Sequence, residues 1–259
     1  MSSAGPASGL PFGRVLVDGA VRYCRCDGER LLLLDRPAYD AEARAAGEAE
    51  LARARVLAPV EPTKIAAVGL NYRAHAAELA MDVKREPILF LKPPSSVIGP
   101  GEAIVLPPRS QHVDYEAELA VVVSRRCRDV SSAAAAGCVA GYTCANDVTA
   151  RDLQELDGQW SRAKSFDTFC PLGPWVVLQP PPPAARVSTE VDGAEVQAGI
   201  LGDMIVSPLE LIAFVSGIMT LEPGDVILTG TPVGVGPLTA GQTVVVGVEG
   251  VGSLSNPVT

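Results

Sequence analysis

The sequence predicts a mainly β protein with some α, of the α+β class. Short apolar runs bounded by Gly, Pro and Asp recur along most of the 259 residues, and only two segments carry a strong helix signature. Strands that outnumber helices this far, without regular strand–helix alternation, exclude a doubly wound parallel sheet.

The elements follow in order. Val15-Leu16-Val17 and Ala20-Val21-Arg22-Tyr23 flank Asp18-Gly19, a dipeptide suited to a two-residue hairpin turn. A second such pair, Asp27-Gly28, precedes the Leu31-Leu32-Leu33-Leu34 run. Residues 41–55 are rich in Ala, Glu and Arg and poor in large apolar side chains, which predicts a short exposed helix closing a small N-terminal unit. After Pro62 the chain turns more apolar, and 65–70, 88–91, 104–106, 118–123, 175–178, 226–229 and 243–248 read as strands. One helix is expected over 132–139. The other opens with Ser207-Pro208-Leu209-Glu210: a Ser cap, Pro at the first helical position and Glu closing a capping box. It carries Leu211, Ile212, Phe214, Val215 and Ile218 and stops before Pro223-Gly224. The prolines at 180–183 mark an exposed extended loop.

Composition excludes several functions. With 30 acidic against 21 basic residues the net charge is −9, and no basic stretch offers a surface to nucleic acid or an anionic membrane. No run approaches the ~18 apolar residues of a membrane span. Residues 1–10 lack the basic and apolar regions of a secretion signal. Two histidines, His75 and His112, cannot build a His-rich zinc centre. Cys24, Cys26, Cys127, Cys138, Cys144 and Cys170 form no CxxC pair and read as free thiols of a reducing, cytoplasmic compartment.

Chemistry concentrates in a few segments. In Asp114-Tyr115-Glu116-Ala117-Glu118 the two glutamates share one face of a strand. Two readings fit: a solvated strand end, or a pair of repelling carboxylates with a cation between them. Asp147, after another apolar stretch, favours the second. Three carboxylates without His or Cys make an oxygen-only site suited to Mg²⁺ or Mn²⁺. Glu78 follows His75 by three residues, so in a helix the pair meets, either as a carboxylate-supported general base or as an ordinary surface pair. Lys92 and Lys164 stand at strand ends, placed to hold an anion or to snorkel. The Gly-rich turn over 229–236 lacks the lysine of a phosphate-binding loop, but its backbone N–H groups can receive a carboxylate.

Taken together, NYRAHAAE (71–78), FLKPPSSVIGPG (90–101), VDYEAELAVVV (113–123), GYTCANDVTARDLQ (141–154), KSFDTFCPLGPW (164–175) and LEPGDVILTGTPVGVG (221–236) resemble the fumarylacetoacetate hydrolase family. The resemblance implies a mixed β-sandwich roll as catalytic domain over 61–259, behind a small N-terminal domain over 1–60, in a homodimer. It implies Mg²⁺ or Mn²⁺ on Glu116, Glu118 and Asp147. It matches His75 and Glu78 to a catalytic dyad on a lid segment, and makes Lys164 a further catalytic candidate. Lys92, Arg151, Gln154 and Thr231 match positions that bind substrate oxygens.

The implied substrate is a small anionic 2-oxo acid, and the implied chemistry is hydrolysis of a C–C bond in a 2,4-dioxo (acylpyruvate-like) acid through a metal-stabilised enolate. The alternative is a decarboxylase or isomerase of 2-oxo or 2-hydroxydienoic diacids, as in aromatic catabolism. A non-catalytic small-molecule binder is disfavoured by the intact acids and the His75–Glu78 pair. One segment departs from the family pattern. Ile200-Leu201 stand where polar residues usually precede the Asp-Met pair, and an Arg usual before Gln197 is absent. Ser124-Arg125-Arg126 also replaces a usual Gly-Lys pattern.

Overall fold

The structure is a computed structural model describing residues 9–78 and 86–259. The expectation about a secretion signal therefore rests mostly on residues outside those described. Among the described residues the strands form sheets of twelve, four and three. The large sheet runs in the order Ala45–Glu50, Arg30–Leu34, Ala20–Asp27, Phe12–Val17, Cys170–Val177, Val139–Asn146, Ala117–Val123, Val226–Leu228, Ile65–Gly69 and Ile88–Lys92. Pairing is antiparallel except where Val226–Leu228 meets Ile65–Gly69 and where Val97–Ile98 joins Cys170–Val177. The α+β class holds.

Ala117–Val123 is buried along its whole length because both faces of the sheet are covered there. Leu119, Val121 and Val123 point into a core shared with Val187 and Val246 of the four-stranded sheet and with Leu211, Ile212 and Val215 of the helix Pro208–Ile218. Ala120 and Val122 point the other way, against Ile65, Phe90, Leu172 and Val226. A strand alternates sides residue by residue. Glu118 therefore projects on the side of Ala120, inside the protein.

The N-terminal strands carry a separate small core of Val15, Val17, Cys24 and Leu31 and join the large sheet at the Phe12–Val176 pair. The Asp18-Gly19 turn has both residues at positive φ, as the two-residue hairpin requires. The helix Pro208–Ile218 has its capping box in place, with the Ser207 N–H donating to the Glu210 carboxylate at 2.9 Å. All six cysteines are free thiols. Among the described residues no helix is long and apolar enough to cross a membrane.

Several local expectations are corrected. Residues 41–55 form no α-helix: Ala45–Glu50 is an edge strand and Leu51–Arg53 a single 3₁₀ turn. The exposed backbone edge of Arg30–Leu34 needs partners, and pairing with it outweighs the weak helix preference of a short Ala/Glu segment. The helix expected over 132–139 is one α turn, Ser132–Ala135, running into a 3₁₀ turn, Ala136–Cys138. Val139 already starts the next strand. The strand expected over 104–106 reduces to one parallel bridge, Ile104 with Val258, at the chain's C-terminal run. Arg186–Val191 and Ala194–Ile200, joined through Asp192-Gly193, form a hairpin the sequence reading passed over.

Candidate metal and acid–base site

Strand register assembles the carboxylates. Ala117 pairs with Asn146 and Glu118 with Ala145, so the chain continuing past Asn146 places Asp147 opposite Glu116. The Asp147 N–H donates to the Glu116 carbonyl at 2.9 Å, and the Glu116 N–H donates to the Asn146 side-chain oxygen at 2.9 Å. One carboxylate oxygen from each of Glu116, Glu118 and Asp147 lies within 4.8 Å of the others, and all three residues are buried.

Cations ring this cluster. Lys164 Nζ donates to Glu116 at 2.8 Å and to Asp147 at 2.7 Å. Arg151 donates to Glu116 at 2.7 Å, to Asp114 at 2.9 Å and to Gln154 at 2.7 Å. Lys92 Nζ donates to Asp147 at 2.5 Å. Burial pushes the Glu116 carboxyl up, but Lys164 and Arg151 outweigh it and hold the group below the usual carboxylate range. Burial likewise opposes the Lys164 charge, yet Asp147 and then Glu116 keep its pKa above that of a free lysine. Glu118 is the exception. Burial, and then the nearby charges of Asp147 and Glu116, push its carboxyl well above the ordinary value. Among the described residues no side-chain cation bonds to it; it accepts the Gly230 N–H at 2.5 Å.

This donor set fits a divalent cation. It is all oxygen, its atoms converge, and the crowding at Glu118 is the kind of repulsion that a dication relieves.

The histidine approaches from another element. His75 lies on the helix Arg73–Glu78, with Nδ1 2.8 Å from Glu78 Oε2. A carboxylate on Nδ1 favours the tautomer with its proton there, which leaves Nε2 as the basic atom. The other Glu78 oxygen accepts the Gly234 N–H at 2.9 Å. Asn71 fixes the helix start: its side-chain amide donates to the Thr229 and Val206 carbonyls at 2.7 and 2.9 Å and accepts the Val206 N–H at 2.8 Å. The Gly-rich turn does receive carboxylates, and they are the protein's own, Glu118 at one end and Glu78 at the other.

A narrow cavity is lined by the triad together with His75, Arg151, Gln154, Lys164 and Thr231. Lys92 is outside that lining, 1% exposed and enclosed behind Asp147, and Glu78 reaches His75 from outside the lining too. Thr231 Oγ1 donates to the Ala117 carbonyl at 2.9 Å. The apolar wall includes Phe90 and Trp160, whose rings meet edge to face at 5.3 Å and both lie within 6 Å of Lys164 Nζ.

Reasoning from the sequence missed several participants. Asp114, which carries no chemical signature beyond its place before Glu116, anchors Arg151. The aromatic pair and Gln197 carried no recognisable spacing. The sequence departure at 200–201 stays outside the cavity. Ile200 is exposed and Leu201 packs into the core, bordering a larger apolar groove that has no carboxylate or histidine in its lining.

Comparison with known proteins places the chain in a family. The family model for the fumarylacetoacetate hydrolase C-terminal domain matches residues 64–259. An uncharacterised protein of Archaeoglobus fulgidus is 53% identical over 209 residues, covering 81% of this chain and 84% of its own. The crystal structure of 2-hydroxyhepta-2,4-diene-1,7-dioate isomerase from Mycobacterium marinum superposes with a TM-score of 0.89 at 40% identity, over 96% of this chain and 98% of that one. Fumarylpyruvate hydrolase from Pseudomonas aeruginosa, in complex with Mn²⁺ and pyruvate, has a TM-score of 0.72 at 32% identity, over 78% of this chain and 91% of that one. The fold is that of a family of enzymes that includes hydrolases and isomerases. The chain belongs to the fumarylacetoacetate hydrolase family.

Proposed function

We propose that the protein is a divalent-metal-dependent hydrolase of 2,4-dioxo acids, breaking the C3–C4 bond of acylpyruvate-like substrates. The observation that carries this reading is the His75–Glu78 pair, whose histidine lines the same cavity as the acidic triad. Glu116, Glu118 and Asp147 would hold Mg²⁺ or Mn²⁺. The ion supplies Lewis-acid polarisation of the substrate's 1-carboxylate and 2-oxo oxygens.

The chain's own residues account for the remaining steps. His75 Nε2 accepts a proton from a water that attacks the C4 carbonyl, and Glu78 stabilises the imidazolium that results. The C3–C4 bond then breaks, the acyl group leaves as a carboxylate, and its electron pair passes to C3 as the enolate of pyruvate. The His75 imidazolium then gives its proton to C3, which completes pyruvate and restores the base. Lys164, Arg151, Gln154 and Thr231 bind and orient the substrate oxygens. Lys92 holds Asp147 in place as a buried counter-ion. The narrow cavity excludes bulk water and strengthens each of these contacts.

A second reading is isomerisation or decarboxylation of 2-hydroxydienoic or 2-oxo diacids. It is supported by the 96% coverage of this chain in the similarity to the Mycobacterium marinum isomerase. One assay separates the two. The protein with Mg²⁺ or Mn²⁺ is given acetylpyruvate, oxaloacetate and a 2-hydroxydienedioate, while pyruvate, CO₂ and dienol absorbance are followed. Metal-dependent pyruvate release from acetylpyruvate is expected. Turnover confined to the other two substrates assigns the second reading, and no product from any of the three overturns both.

A further inference from the structure

Gln197 is the only buried residue of the strand Ala194–Ile200. Its neighbours Val196 and Ala198 face outward, and the side-chain amide enters the protein from the four-stranded sheet. All of its contacts go to named groups. Oε1 accepts the Ala117 N–H at 3.1 Å and the Thr189 hydroxyl at 2.7 Å. Nε2 donates to Thr231 Oγ1 and to the Pro232 carbonyl, both at 2.8 Å. The orientation of the amide is unambiguous, because Ala117 N–H can only donate and Pro232 C=O can only accept. Ala117 stands between Glu116 and Glu118, and Thr231 lines the cavity.

We infer that Gln197 is a positioning residue that sets the peptide between the two glutamates and the Thr231 hydroxyl in one geometry, so that metal affinity and substrate-oxygen affinity both depend on it. This rests on the metal-site reading given above. The physical reason is that an amide with both ends committed has no alternative rotamer that keeps its bonds, and a buried polar group left without partners is costly. The two ends serve different parts of the site. The oxygen holds the peptide that carries the metal ligands, and the nitrogen holds Thr231 and the turn that follows it.

The test separates those two ends. Mn²⁺ binding is measured by electron paramagnetic resonance, and binding of oxalate, a planar anion with two adjacent chelating oxygens, by calorimetry on the Mn²⁺-loaded protein. Gln197→Met keeps the length but makes none of the bonds, and Mn²⁺ affinity is expected to fall at least ~10-fold, the scale of lost outer-shell support. Gln197→Glu keeps the two accepting bonds and loses the two donating ones. Its Mn²⁺ affinity is expected to stay at or above that of the wild type while oxalate affinity falls at least ~10-fold. Val187→Ala, in the core of the same sheet, lowers the melting temperature and leaves both affinities unchanged. Wild-type Mn²⁺ affinity in Gln197→Met, wild-type oxalate affinity in Gln197→Glu, or equal losses in Val187→Ala would overturn the assignment. If Gln197→Met does not fold, Gln197→Glu decides alone. A wild-type protein that binds no Mn²⁺ overturns the metal reading itself, and this inference with it.

Discussion

Glu116, Glu118 and Asp147 lie inside a sheet covered on both faces, whereas His75 and Glu78 ride on a six-residue helix with the Glu78 side chain 27% exposed. The carboxylates are placed by strand register, and Glu116 and Asp147 also by buried ion pairs to Lys92, Lys164 and Arg151. An isolated helix of six residues has no stability of its own, so the dyad is held from outside, by Asn71 at its start and by the Gly234 N–H on Glu78. One half of the site is built into the core; the other is attached to it by a few hydrogen bonds. Substitutions in the first half should therefore change metal binding and everything downstream, and those in the second should change turnover alone.

The largest effect is expected in the buried half. Glu118→Gln removes the carboxylate that, among the described residues, bonds to no side-chain cation. Metal-dependent turnover should fall at least ~10³-fold, since several kcal/mol of charge stabilisation are lost. The rise in melting temperature that Mn²⁺ gives the wild type by mass action should disappear with it. An unchanged Mn²⁺-dependent shift in a thermal scan would break the metal assignment.

His75→Ala comes next. Hydrolysis should fall ~10²–10⁴-fold, the range for loss of a general base, while Mn²⁺ affinity stays within about twofold of wild type. A parallel loss of metal affinity in the same titration would show that the two halves are not separable.

Glu78→Gln is the smallest of the three. It replaces a charge-assisted bond to His75 by a neutral one, so kcat should fall roughly tenfold or a little more, with KM and metal affinity little changed. A loss as large as that of His75→Ala would mean that Glu78 itself transfers the proton.

The legibility of the site follows the same division. The E-x-E spacing put two candidate ligands on one strand face, and His75 with Glu78 was readable as an i, i+3 pair because a helix turn is local. The third ligand is different in kind. Asp147 is 29 residues beyond Glu118, and only the antiparallel register sets it opposite Glu116; the sequence could offer it as a candidate acid and no more. Gln197 entered only as a position in the family pattern and gave no periodicity signal, because by alternation Val196 looks like the inward residue of its strand, yet it is Val196 that is exposed. The segment over 41–55 was misread for a related reason. Its own composition favours a helix, and the open edge of Arg30–Leu34, which makes it a strand, is a property of its partner.

By itself the sequence determined the α+β class, the hairpin at Asp18-Gly19, the capped helix after Ser207, the oxygen-rich donor set and the adjacency of His75 and Glu78. These depend on turn chemistry, capping and the periods of single elements, which act over a few residues. Only the tertiary structure decided that the three carboxylates converge, that Lys92 and Lys164 are committed to them, and that Gln197 holds the peptide between the glutamates. Those are contacts between strands distant in the chain, and burial is what gives them their strength. Charges that water would screen at a strand end repel or pair strongly once both faces of the sheet are closed.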